Sequence, residues 1–101
     1  LGDERVTSVR VRNAISGEEE LIPAAGVFVS IGRSPATALF RGQLDLDENG
    51  YIIADESTRS SVPGVFAVGD VRTKPLRQVA TAVADGATAV HMAEEYLAQL
   101  G

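Results

Sequence analysis

Residues 61–71 read SVPGVFAVGDV, and their setting decides the fold. Val65, Phe66, Ala67 and Val68 form an apolar run between Gly64 and Gly69, as expected of a strand buried on both faces of a sheet. Asp70 stands at its carboxyl end. Beyond it, residues 76–100 change period: Val79, Val83, Gly86, Val90, Ala93, Leu97 and Leu100 alternate by four and three, which predicts a long amphipathic helix. Strand, glycine turn and helix in that order predict an α/β protein whose ligands gather at strand carboxyl ends.

Upstream, residues 26–32 (GVFVSIG) repeat the design and predict a second buried strand. Arg33, Ser34 and Pro35 break it, a short helical turn is expected over 36–42, and residues 50–53 and 57–63 read as a strand and a polar connection. Nearer the N-terminus, Val6, Val9 and Val11 alternate with arginines, and Leu21 and Ile22 return after a polar turn at 13–17. That is a hairpin. Ser16 and Glu19 have capping-box spacing, but their place between strands makes them loop residues.

The composition narrows the function. With 101 residues, 45% of them hydrophobic, the chain can pack a core, and Leu1 in place of an initiator methionine points to an excised segment. A net charge of −5 with scattered arginines argues against binding nucleic acid or an anionic membrane, and no apolar run is long enough to span a bilayer. Without cysteine there is neither a disulfide framework nor a redox dithiol in the segment.

Residues 45–56, DLDENGYIIADE, match a calcium-binding EF-hand loop, with Asp45, Asp47, Asn49, Gly50 and Glu56 in the right places. Calcium binding is not expected, because the loop must feed a helix and STRSSVP, ending at Pro63, cannot supply one. His91, the only histidine, is given no catalytic or metal role, and Asp85, Glu94 and Glu95 read as a solvated helix face, with helix packing by Asp85 and Gly86 as the alternative. Arg33 reads as a solvated hinge charge, with a reach to a domain interface as the alternative.

Chemistry concentrates after the second apolar run. An aspartate past a buried strand can offer its carboxylate to ribitol or ribose hydroxyls, and Gly69 lets a ligand approach the backbone. The free amides and positive dipole end of the helix, at Arg77, Gln78 and Val79, would favour a phosphate or the N1 and O2 edge of a reduced flavin. On these residues alone an ordinary turn explains the Gly-Asp pair equally well.

Four blocks add a family resemblance: GVFVSIGRSP (26–35), GQLDLDENGYI (42–52), SVPGVFAVGDV (61–71) and KPLRQVATAVADGATAV (74–90). In this order and spacing the chain resembles the C-terminal part of the low-molecular-weight thioredoxin reductases, FAD- and NADPH-dependent pyridine nucleotide-disulfide oxidoreductases. The resemblance implies the C-terminal portion of a two-domain, Rossmann-like flavoprotein of three-layer ββα type. Residues 1–32 would end its NADPH-binding domain, residues 33–101 its FAD-binding domain, and 32–35 would be part of the hinge. It further implies that Asp70 binds the FAD ribitol, that the Gly69 and Val71 backbone lies near the pyrophosphate, and that Arg77, Gln78, Val79 and Ala82 lie along the isoalloxazine. The parent would be a cytoplasmic homodimer acting on thioredoxin through a CxxC upstream, and this segment alone would catalyse nothing. Alternatives are a dithiol-free ferredoxin or flavodoxin NADP reductase, an NADH-dependent peroxiredoxin reductase, or a stand-alone self-associating module. The reductases of the ferredoxin type carry an extra C-terminal segment over the flavin, whereas this sequence stops just after the helix.

Overall fold

The computed structural model describes all 101 residues, which separate into two compact units, Leu1–Gly32 and Arg33–Gly101. In the first, β1 (Ser8–Arg12) and β2 (Glu19–Pro23) pair antiparallel, with Val9 opposite Ile22 and Val11 opposite Glu20. The β-branched valines suit this pleated setting. Asn13 closes the loop by accepting the amides of Ile15 and Ser16 at 2.9 and 3.0 Å, and Gly17 turns the chain at a left-handed φ of 76°. The hairpin expected from the sequence is present, with Ser16 in its loop and Glu19 opening β2.

The strand expected at residues 26–32 does not form. Those residues are irregular, no segment pairs with them, and Phe28 and Ile31 are 99% and 92% exposed. A strand buried on both faces draws its hydrogen bonds and its burial from neighbouring strands, and this chain supplies none.

The second unit is built the same way, from fragments of sheet. Ile52 bridges Leu46 on one side and Arg72 on the other: its N–H donates to the Val71 carbonyl at 2.8 Å, and its carbonyl accepts from Thr73 at 2.9 Å. The strand expected at 50–53 thus shrinks to one residue, Ile52, bridged on both sides. Residues 64–70 likewise shrink to one bridge between Phe66 and Arg59, with Ala67 donating to the Thr58 carbonyl at 2.8 Å. Ile52, Ala54 and Ala67 bury together, packed by Leu44, Leu46 and Val71. The α/β order of elements is kept, but within this chain there is no parallel sheet and no three-layer stack.

Two turns in this unit have a clear cause. Asp47 accepts the amides of Asn49 and Tyr51, both at 2.9 Å, and Gly50 follows at φ 88°, so the residues that spell a calcium loop build an Asx turn. At residues 62–65 the Val65 amide donates to the Val62 carbonyl at 3.1 Å, with Pro63 leading and Gly64 at φ 84°. That is the proline-glycine order of a type II turn. A Cβ on Gly64 would lie 3.0 Å from the Tyr96 ring. Gly64→Ala therefore combines backbone strain with a clash, and should lower stability by about 1–3 kcal/mol, read as a lower denaturant midpoint.

The helix α1 runs Val79–Leu100, so it starts three residues later than the apolar period suggests. Gln78 is the N-cap, and its N–H donates to the Thr81 hydroxyl at 3.0 Å, fixing the start there. The apolar stripe seen in the sequence is not the face that packs. Val79, Val83, Val90, Leu97 and Leu100 are all exposed, while Thr81, Ala82, Asp85, Ala89, Met92 and Tyr96 turn inward. The helix thus has two apolar faces, and the unit covers the one with smaller residues.

Candidate functional site

The site is built where the second apolar run ends and α1 begins. Gly69–Val71 form a single 3-10 turn, with Gly69 at φ 76°, a conformation that favours glycine. This turn aims the Asp70 side chain outward, half exposed. Asp70 joins Arg33, Arg77, Gln78, Val79 and Ala82 around an open depression of about 250 Å³. Gly69 packs beside α1, where a Cβ would make an ordinary contact with the Ala82 methyl at 3.7 Å. Val71 lines an adjoining hollow with Tyr51 and Arg77. All seven residues expected at a cofactor site are therefore gathered in one region.

Two of them have duties the sequence did not disclose. Arg77 lies over the Tyr51 ring at 3.8 Å and donates to the carbonyls of Asp70 at 3.0 Å and Arg72 at 2.9 Å. Its guanidinium therefore staples the turn to the start of the helix, and the tyrosine face holds it there. Because the Gln78 N–H is already given to Thr81, the free amides of the helix begin at Val79. Arg33, expected as a solvated hinge charge, is exposed and also reaches Asp70, Nη1 to Oδ2 at 3.3 Å.

The largest correction is Asp85. Expected on a solvated face, it is buried and receives four donors. Arg72 grips it with two, Nε to Oδ2 and Nη2 to Oδ1, both at 2.8 Å; Lys74 Nζ reaches Oδ2 at 2.7 Å and the Gly69 amide at 2.9 Å. The side chains of Arg72 and Lys74 are each only 2% exposed. The Arg72 guanidinium is the main cause that holds the Asp85 carboxyl far below the usual carboxylate range; burial opposes it, and Lys74 and the Gly69 amide add to it. The same pairing raises the Arg72 pKa. Glu56 adds a fourth charge from the surface, 3.3 Å from Arg72. The only sequence signal was an aspartate on a helix four residues past Thr81, with two cations just upstream, and such charges usually lie in water.

The other charged helix residues lie at the surface. His91 and Arg59 both approach Glu95 at 3.4 Å, with all three side chains largely exposed. No helix is long and apolar enough to cross a membrane.

An exposed carboxylate beside a glycine turn, a helix N-terminus with free amides, and two arginines suit a ligand that carries hydroxyls next to negative charge. The chain belongs to the pyridine nucleotide-disulphide oxidoreductase family, whose model matches residues 2–86. It is similar to thioredoxin reductases: 44% identical over 101 residues to that of Listeria innocua, covering 99% of this chain and 32% of the relative. With the thioredoxin reductase of Peptoclostridium litorale it shares 48% over 105 residues, 98% of this chain and 33% of the relative. Among solved structures, thioredoxin reductase from Streptococcus pyogenes superposes with a TM-score of 0.77 at 39% identity, over 98% of this chain and 33% of that one. The chain spans about a third of the length of these relatives.

Proposed function

We propose that this chain is the C-terminal part of an FAD- and NADPH-dependent flavoprotein disulfide reductase of the thioredoxin reductase type. Leu1–Gly32 would complete its NADPH-binding domain and Arg33–Gly101 its FAD-binding domain. The observation that carries the reading is the convergence of Asp70, Gln78, Val79 and Ala82 on one depression at the start of α1. In this reading Asp70 accepts hydrogen bonds from the ribitol hydroxyls, and Gly69 and Val71 pass their backbone close to the pyrophosphate. The Val79 end of α1, with the Gln78 side chain, faces the isoalloxazine pyrimidine edge, and Ala82 keeps the helix surface flat beneath the ring. Arg77 acts from below, holding the Asp70 and Arg72 carbonyls.

The bound flavin would supply the relay of two electrons from NADPH to a dithiol and on to thioredoxin. This cysteine-free chain contributes the cradle and not the dithiol. The relatives' names favour thioredoxin as the final partner over ferredoxin or flavodoxin. The test is to supply the full-length protein with NADPH and each candidate acceptor in turn. NADPH oxidation that depends on thioredoxin, at a rate well above that with ferredoxin, is expected; dependence on ferredoxin, with no dithiol, would replace the reading with its runner-up.

The exposed apolar residues support a second reading for the isolated chain. Phe28, Val29, Ile31 and the outer stripe of α1 leave surfaces that water does not favour. Free of its parent, the chain would associate with copies of itself through them and act as a colourless binding module. Inside the parent, the same surfaces would be the ones other segments cover. The homodimer expected of the parent is a separate matter, since its interface would form between complete subunits.

A further inference from the structure

We infer that Asp85 is the positioning residue of the cradle, fixing the Gly69–Val71 turn, and with it Asp70, against the start of α1. This rests on the flavin reading above. The turn does little to hold itself. Its one internal bond, from the Arg72 amide to the Gly69 carbonyl, is long at 3.5 Å. The Asp70 side chain has only the exposed Arg33 as a partner, at 3.3 Å. Its direction must therefore come through the backbone, and the backbone is held from outside.

Arg77 holds the Asp70 carbonyl and the Ile52 amide holds the Val71 carbonyl, while Asp85 holds the segment on both sides of Asp70. The two Asp85 oxygens take the Gly69 amide before Asp70, the Arg72 guanidinium after it, and the Lys74 ammonium two residues further on. Donors on both sides of the ligand-facing residue thus converge on one carboxylate. Asp85 lies seven residues past the N-cap, about two turns, so it stands on the same face of α1 as Gln78. The helix is stiff over that length, and the link sets the spacing between the Asp70 carboxylate and the helix N-terminus. Apolar side chains could fill the same space, and burying charges is not an efficient way to gain stability. What charges supply is direction, since each donor must point at an oxygen.

The experiment compares three forms of the full-length protein: wild type, Asp85→Asn, and the apolar replacement Arg72→Met/Lys74→Met/Asp85→Leu. Each is measured for melting temperature, FAD dissociation constant and the visible absorbance and circular dichroism of the bound flavin. Asp85→Asn is expected to weaken FAD at least tenfold and to shift the flavin spectrum. The triple variant should regain melting temperature relative to Asp85→Asn while remaining at least tenfold weaker for FAD. Wild-type affinity and spectrum in either variant would overturn the positioning role while leaving the flavin reading standing. A wild-type protein that takes up no FAD would overturn both. A readout that needs no variant is the Gly69 amide in FAD-free wild type: slow hydrogen exchange is expected, and exchange at the rate of a free peptide would overturn the inference.

Discussion

Asp85→Ala is expected to destabilise its unit by about 3–5 kcal/mol, the cost of leaving buried cations without their counterion. Arg72 and Lys74 are almost fully enclosed, and the nearest remaining acid, Glu56, has a side chain 85% exposed and touches only Arg72. The loss would take up much of the net stability of an ordinary domain. Equilibrium unfolding in denaturant checks it. A change below about 1 kcal/mol would mean that water enters and solvates the two cations.

The same carboxylate sets an acid dependence. Its pKa in the folded state is depressed, so the stability it contributes is complete above its unfolded value, about 3.9, and is lost as pH falls through the lower folded value. From pH 8 to 5 the contribution should stay constant. Below about pH 4 the wild type should lose stability more steeply than Asp85→Asn, whose residue cannot be protonated there. Parallel acid limbs for the two proteins would place the carboxylate in a more exposed setting.

Asp70→Ala has the largest expected effect on the ligand. It removes a charged acceptor while leaving the turn, since Asp85 and Arg77 hold the backbone and not the Asp70 side chain. Hydrogen bonds to a charged group are worth about 1.5–3 kcal/mol, so FAD should bind the full-length variant roughly ten to 150 times more weakly. Stability without FAD should hardly change, because the Asp70 carboxylate meets only the exposed Arg33. Flavin retained after dialysis as well as in wild type would remove Asp70 from the ribitol.

These two aspartates show what could be read from the sequence. The placement of Asp70 on an exposed turn was legible because a glycine and a run of β-forming residues precede it, a short-range pattern. Asp85 was not, because its burial depends on Arg72 and Lys74 coming back over α1 from a loop. The hairpin was legible from alternating valines and a polar turn, both short-range signals. Residues 26–32 and 64–70 carry the composition of buried strands, but a strand is completed by its neighbours: here the first pairs with nothing and the second keeps one bridge. The outer stripe of α1 is a true period, with Val79, Val83 and Val90 regular in sequence, yet these stay exposed while the smaller Ala82 and Ala89 turn inward. Periodicity detects an apolar stripe, and with two such stripes it cannot say which one the chain itself covers.

Binding of FAD at Gly69, Asp70 and the start of α1 underlies every expectation about the ligand. The most direct measurement is a crystal structure of the full-length protein with FAD bound. The Asp70 carboxylate is expected within hydrogen-bonding distance of a ribitol hydroxyl, with Val79 and Ala82 against the isoalloxazine. FAD bound elsewhere, with Asp70 still paired to Arg33 and the depression filled by water, would contradict that placement.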